Sequence, residues 1–257
     1  MNPHDQWIAF QTIVIKEVRR YTRIWTQTLL PPVITMVLYF VIFGSLIGKR
    51  IGQMEGFDYV SFVAPGLIMM SVLTNSYTNV VSSFFGTKFS RCLEELLVSP
   101  TPNYVILLGY VIGGVSRGLI VGVLVTLVSL FFTNIQVHNL AIVVVTIFLT
   151  SVLFALAGLV NGVFAKNFDD VNLIPTFVLT PLTYLGGIFY SISLLPEFWQ
   201  IVSKFNPILY MVNAFRFGFL GISDVNVGIA LGMICVFILG FTGFALYLLE
   251  HAKGLRA

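Results

Sequence analysis

The segment Lys88–Tyr110, KFSRCLEELLVSPTPNYVILLGY, interrupts a chain that is otherwise mostly apolar. Lys88, Arg91, Glu94 and Glu95 bring charge into it, Pro100 and Pro102 follow, and unbroken apolar sequence then resumes. Helical spacing sorts its side chains into two faces. Phe85, Phe89, Cys92, Leu93, Leu96 and Leu97 fall on one, and Lys88, Arg91, Glu94 and Glu95 on the other. Neither proline can donate a backbone hydrogen bond, so the spacing predicts a short amphipathic helix that stops at Pro100. Such a helix between two apolar runs belongs at a membrane surface.

The sequence around it supports that placement. Of 257 residues, 57% are hydrophobic and only 10% charged, against about 25% charged in soluble domains. Six apolar runs, at 26–47, 60–84, 104–132, 140–164, 172–190 and 228–249, are each long enough to cross a hydrocarbon core about 30 Å thick. The alternating strands of an outer-membrane barrel are not seen. The predicted fold class is therefore an all-α polytopic membrane protein, with residues 1–257 forming one membrane domain and six spans.

Two further segments complete the outline. In residues 7–25, Trp7, Phe10, Val14, Val18, Tyr21 and Trp25 share a stripe, with Thr12, Lys16, Arg19, Arg20 and Arg23 opposite. That pattern predicts a basic amphipathic helix in the membrane interface. A signal peptide is not expected here, because the basic residues follow an apolar stretch and no small-residue cleavage site comes after them. Residues 191–222 contain SLLPEFWQIVSKF and then NPILYMVNAFRFGFLGI. They read as two re-entrant helices between spans five and six, tolerated where protein buries their ends.

Basic residues set the orientation. With six spans, Lys16, Arg19, Arg20, Arg23, Lys88, Arg91, Lys166, Lys253 and Arg256 share one side, while only Lys49, Arg50, Lys204 and Arg216 lie on the other. The richer side is cytoplasmic, so both termini are expected there, and 85–103 becomes a cytoplasmic loop.

The chemistry expected of an enzyme is missing from the sequence. GSLIGKR at Gly44–Arg50 is one residue too short for a phosphate-binding loop and ends in Arg50 where Ser or Thr is needed. No nucleophile elbow or zinc-protease motif occurs. His4, His138 and His251 are scattered, and Cys92 and Cys235 lie in unlike surroundings, so neither a metal nor a disulfide is expected. Polar residues inside the spans are costly and therefore informative. Ser71, Asn75, Thr78 and Ser82 form a stripe on span two; Thr176, Thr180, Thr183 and Tyr184 lie on span five, where Pro175 and Pro181 loosen the helix. Both stripes suit either a translocation path or polar contacts between packed helices. Gly109, Gly113, Gly114, Gly118 and Gly122 predict close packing of span three. Three roles are open to Arg117 beside them: reaching to the membrane surface, pairing with Asp169 or Asp170 as a structural charge, or meeting substrate; pairing is the first expectation.

This arrangement resembles the ABC-2 type permeases, the type V exporters, over essentially the whole chain. The strongest local match is FSRCLEELLVSPTPNYVILLG, Phe89–Gly109: Arg91, Leu93, Glu94, Leu96, Leu97, Ser99, Pro100 and Gly109 fit the family pattern, while Cys92 and Glu95 depart from it. PTFVLTPLTYLGGIFYS and FNPILYMVNAFRFGFLG look like the YadH-type and nodulation-factor-exporter branch. The resemblance implies an ABC-2 fold in a bacterial inner membrane, paired with a second permease copy and with two copies of a separate ATPase subunit. That subunit, not this chain, would bind ATP and Mg; no cofactor and no nucleic acid is implied here. The helix after span two would be the coupling helix, with Lys88, Arg91, Glu94, Glu95 and Leu96 as its ATPase contacts. Ser71, Asn75, Thr78, Ser82, Thr176, Thr180 and Tyr184 would border a path for an amphipathic substrate: a lipid, glycolipid, saccharide or drug. The competing reading is a secondary transporter or channel not driven by ATP. It is disfavoured because Arg117 has no carboxylate companion within the spans and no inverted repeat is evident.

Overall fold

The structure, a computed structural model, describes residues 1–133 and 137–251, with side chains for all of them except Ser45, Leu46 and Lys49. Lys253 and Arg256, used above for orientation, lie outside the described residues. The chain begins with α1 (Pro3–Arg23), a single turn α2 (Trp25–Thr28) and α3 (Leu30–Val41), which widens into a π-helical stretch, Ile42–Gly48, before the turn α4 (Lys49–Ile51). A two-stranded hairpin follows, β1 (Gln53–Met54) antiparallel to β2 (Phe57–Asp58), with Gln53 opposite Asp58. Then come α5 (Tyr59–Phe89), α6 (Cys92–Val98), α7 (Asn103–Ser129), α8 (Leu140–Phe164) and α9 (Phe168–Ile174). A second π stretch, Pro175–Leu179, leads into α10 (Thr180–Tyr184); after a 3-10 turn come α11 (Glu197–Lys204), α12 (Pro207–Leu220) and α13 (Val227–His251).

Five of these helices are long and apolar enough to cross a membrane: Trp25–Gly44, Tyr59–Phe89, Asn103–Ser129, Leu140–Phe164 and Val227–His251. The predicted run 172–190 behaves differently. Its helix starts at Phe168, widens at Pro175 and ends at Tyr184. Pro175 and Pro181 each remove a backbone donor, and the chain then turns at Gly187, whose φ is +70°. The two helices expected in 191–222 are present as α11 and α12. Asn206 caps α12 by accepting from the Ile208 amide at 3.0 Å and donates to the Leu182 carbonyl at 2.6 Å.

Helix α5 is the axis of the molecule. Of its apolar window, 78% is inside the protein, against 17% for α13. It packs along α7 and α8, and α12 fills the space between α5, α8 and α13. Glycines make these approaches possible. A Cβ on Gly158 of α8 would lie 2.5 Å from the Tyr77 carbonyl oxygen of α5. The α7 glycines divide between two neighbours. Gly114, Gly118 and Gly122 face α5 and α8, whereas Gly109 and Gly113 receive Ile13 and Glu17 of α1.

That second contact reorients α1. Its buried face is Ile13, Glu17 and Tyr21, while Trp7 and Trp25 of the predicted stripe are exposed. Glu17 is fully buried yet fully engaged. Its Oε1 accepts from the Ser83 hydroxyl at 2.5 Å, and its Oε2 lies 3.5 Å from Arg20. Arg20 also donates to the Asn79 carbonyl and side-chain oxygens, each at 2.8 Å, and the Tyr21 hydroxyl reaches Ser116 at 3.1 Å. Helix α1 is thus bolted to α5 and α7 by polar contacts in an otherwise apolar groove.

At the other end of α5, Arg216 of α12 is 1% exposed. Its guanidinium stands 4.0 Å from the Phe62 ring centroid, donates to the Gly187 carbonyl at 2.6 Å and approaches Asp224 at 4.0 Å. Arg216, counted with the basic residues of the less basic side, is therefore an internal fastener. Both cysteines are free and exposed.

Replacing Gly158 by Leu drives a side chain into a backbone carbonyl, which cannot yield as a side chain can; destabilisation of about 3 kcal/mol follows. Thermal unfolding of purified protein in detergent will show it, while Gly232→Leu, with nothing within 4 Å, leaves the midpoint unchanged. Removing Glu17 (Glu17→Ala) strands Arg20 and Ser83 and loosens α1. Trypsin cleavage after Arg19 and Arg23 then accelerates by about tenfold, since cleavage follows local opening; Glu17→Gln, which keeps the Ser83 bond, falls between.

Candidate functional site: a surface helix and a polar groove

The helix α6 sits where α5 hands over to α7, but it is shorter than the spacing predicts. Helix α5 continues to Phe89, and the chain then turns through Arg91, whose φ is +60°. For a residue with a Cβ that left-handed conformation costs about 1 kcal/mol. The turn resets the helical phase, so residues before and after it do not share faces. Leu93 is buried in the cluster with Ile106, Leu107 and Tyr110, and Leu96 and Leu97 pack beside it. Arg91, Cys92, Glu95 and Val98 are exposed, and Glu94 is half-buried. Ser99 ends the helix, its hydroxyl donating to the Leu96 carbonyl at 2.6 Å, and Pro102 starts α7.

Three assignments change as a result. Lys88 belongs to the end of α5 and is occupied: its ammonium donates to the carbonyls of Val163 and Ala165 at 2.6 and 2.8 Å, closing the C-terminus of α8. Orphan carbonyls at a helix end attract a cation, which explains the contact. Phe89 and Cys92, placed on the inner face by helical spacing, point outward instead. Phe89 packs at a tilt against Phe85 and Phe168, the latter at 5.0 Å between ring centroids. Phe89, Phe168 and Val98 give this surface an apolar component that charge patterning alone concealed.

The polar residues of α5 open on a groove of about 330 Å³ between α3 and α5. Ser71, Thr74, Asn75 and Thr78 form one wall; Pro31, Pro32, Thr35, Met36 and Tyr39 form the other, and Arg117 of α7 closes the floor. Ser71, Asn75 and Thr78 therefore come together as the sequence suggests. Ser82 is exposed farther along α5 and does not line this groove. Thr176, Thr180 and Tyr184 lie on an exposed face elsewhere. The Thr180 hydroxyl closes on the Pro175 carbonyl at 3.0 Å, and the Tyr184 ring stacks on Phe189 at 5.8 Å. Phe189 also touches Tyr39 and Phe43, so aromatic rings connect this region to α3.

Arg117 does not pair with Asp169 or Asp170. Its Nη2 donates to the Thr28 carbonyl at 3.1 Å and to Asn75 Oδ1 at 3.0 Å. Asp170 instead accepts from the Lys166 amide at 2.9 Å, and Asp169 is exposed in the first turn of α9. Acidic residues are favoured at a helix N-terminus, which is why these two remain with their own helix. Glu17 and Thr28 were not visible as members of the polar interior. The four-residue interval Ile13, Glu17, Tyr21, facing the four-residue interval Gly109, Gly113, is the signal that finds Glu17. The Thr28 hydroxyl donates to the Tyr21 carbonyl at 2.8 Å while its own carbonyl receives Arg117, so the turn after α1 is held from both sides.

Comparison with known proteins agrees with this architecture. The model of a family described as ABC-2 type transporter matches residues 8–220. The inner membrane transport permease YadH of Escherichia coli (strain K12) is 61% identical, over 99% of each chain. Nodulation protein J of Rhizobium leguminosarum bv. viciae is 25% identical, over 79% of this chain and 78% of its own, and that of Rhizobium meliloti (strain 1021) is 23% identical, over 78% and 77%. With the family's model running from within α1 to the end of α12 and a relative this similar end to end, the chain belongs to the ABC-2 type transporter family.

Proposed function

We propose that this protein is the membrane subunit of an ATP-driven exporter of an inner membrane, moving an amphipathic substrate with energy supplied by an ATPase on a separate chain. The observation that carries the reading is α6. It is a separate short helix whose inner residue, Leu93, is locked to α5 and α7, while Arg91, Glu95 and Val98 are left uncovered. A chain without a phosphate-binding loop receives energy by contact, and an anchored helix transmits a push that a mobile loop would absorb. The charged positions give a docking partner orientation, and Phe89 and Val98 give it apolar area. Family membership and the likeness to the Escherichia coli inner membrane permease support the permease role and the inner-membrane location.

In this reading the helix from Phe168 to Tyr184 is the remaining crossing. It spans about 25 Å at the α-helical rise, and the segment after it completes the depth. Six spans then leave both termini in the cytoplasm with α6, and α11 and α12 enter the membrane from the opposite side and return. Two permease copies and two ATPase copies form the complex, and the polar faces of α5 and α10 border the path.

Cys92 offers a direct test, since it is exposed on the proposed docking face. In a Cys235→Ser background, a photo-crosslinker on Cys92 is expected to trap a nucleotide-binding subunit when the tagged protein is isolated from its own cells. Glu94→Lys combined with Glu95→Lys should cut ATP hydrolysis by the isolated complex about tenfold, without loss of folded protein. Undiminished hydrolysis in that variant, or transport driven by an ion gradient in vesicles lacking ATP, would refute the assignment.

A further inference from the structure

Arg117 is a cation without a counter-charge. It is 8% exposed near the middle of α7, and no carboxylate among the described residues forms an ion pair with it. Its two hydrogen-bond partners, Asn75 Oδ1 and the Thr28 carbonyl, are neutral. Its Nε has no partner, and neither has the hydroxyl of Ser71, 4% exposed, on the groove wall beside it. The other arginines withdrawn from solvent are treated differently: Arg20 has Glu17 and Arg216 has Asp224. A desolvated guanidinium whose hydrogen-bond partners are all neutral is left without charge compensation. That deficit faces a groove of about 330 Å³ rather than packed side chains.

We propose that the groove between α3 and α5 binds the anionic headgroup, phosphate or carboxylate, of an amphiphile, with Arg117 as its counter-ion. A planar guanidinium suits an oxyanion with two or more oxygens. Ser71, Thr74, Thr78 and Gln27 add donors around it. The tail lies along the outer surface of α3, where Leu30, Ile34 and Leu38 are 41%, 50% and 55% exposed. The groove thus presents a polar floor and an apolar exterior within one helix diameter, the two halves of an anionic lipid-like molecule. This inference rests on the transport reading above, for which it names the substrate class.

Binding to the purified, delipidated full-length protein in a neutral detergent tests it, with four probes: dodecyl phosphate, phosphatidylglycerol, phosphatidylcholine and inorganic phosphate. The two anionic amphiphiles should bind at least about tenfold more tightly than phosphatidylcholine, and inorganic phosphate should compete only weakly. Arg117→Gln abolishes the preference, and Arg117→Lys retains most of it. Should Arg117→Gln fail to fold, Thr74→Val combined with Thr78→Val decides, through an expected threefold loss for both anionic amphiphiles with unchanged thermal stability. Equal binding of phosphatidylglycerol and phosphatidylcholine, or a preference that survives Arg117→Gln or the double threonine change, overturns the proposal. Inorganic phosphate binding as tightly as dodecyl phosphate overturns the amphiphile and leaves a site for free anions. Anion preference in a protein that engages no ATPase upholds the groove and removes the exporter; ATP hydrolysis stimulated by this chain without anion preference does the reverse.

Discussion

The close approach of α5 to α7 and α8 is the constraint on which the rest depends. In lipid the hydrophobic effect does little to hold helices together, so packing at short range and internal hydrogen bonds must do it. Gly158 against the Tyr77 carbonyl, and Gly114 and Gly118 against Ser76, bring backbones near enough for that. Because α5 is thereby enclosed, it can carry Asn75, Asn79 and Ser83 without presenting them to lipid. Each then has a neighbour to serve: Asn75 holds Arg117, Asn79 holds Arg20 and Ser83 holds Glu17. An α5 displaced outward by a few ångströms would lose all three contacts at once.

Three arginines in the helical body illustrate three answers to one problem. Arg20 remains partly exposed and leans on Glu17 and Asn79. Arg216 is sealed, and a carboxylate, a carbonyl and an aromatic face share its charge. Arg117 has hydrogen bonds but, among the described residues, no carboxylate in an ion pair. Buried charge is expensive enough that a protein compensates it or uses it. The Nε of all three lacks a hydrogen-bond partner, but the first two fasten elements together with a carboxylate to balance their charge. The third has a groove at its side instead.

The long crossings were legible because their length answers directly to bilayer thickness, and the short helix at 92–98 because Pro100 and Pro102 mark its end. Its phase was not legible. The turn at Arg91 uses a left-handed conformation without a glycine to announce it, so extending one helical wheel across it placed Phe89 and Cys92 on the wrong face. Lys88 read as a surface charge because nothing near it in sequence shows that the last carbonyls of α8 end beside it. Glu17 was overlooked for a similar reason: a carboxylate among basic residues looks solvated until Ser83 and Gly113 arrive from other helices. The partner of Arg117 failed by proximity. Asp169 and Asp170 were the nearest acidic candidates, but they stay with α9, while Asn75 reaches Arg117 from α5.

These corrections change how a push on α6 would travel. A lysine reserved for a partner would leave α8 free of the docking surface. With Lys88 closing the end of α8 instead, the base of α5, the end of α8 and the start of α9 form one junction, reinforced by Phe85, Phe89 and Phe168. Leu93 ties α6 to the same junction from the α7 side. Under the proposed function, displacement of α6 would carry α5, α7, α8 and α1 together against α3, since short glycine contacts and buried hydrogen bonds hold those four helices to one another. The groove at Arg117 lies on that boundary, between α3 and α5. Packed interfaces change between discrete arrangements rather than deform continuously. In the proposed function a small shift at the α6 end would thus open or close the groove, and the hydrogen bond from Arg117 to Thr28 would link that change to the turn that follows α1.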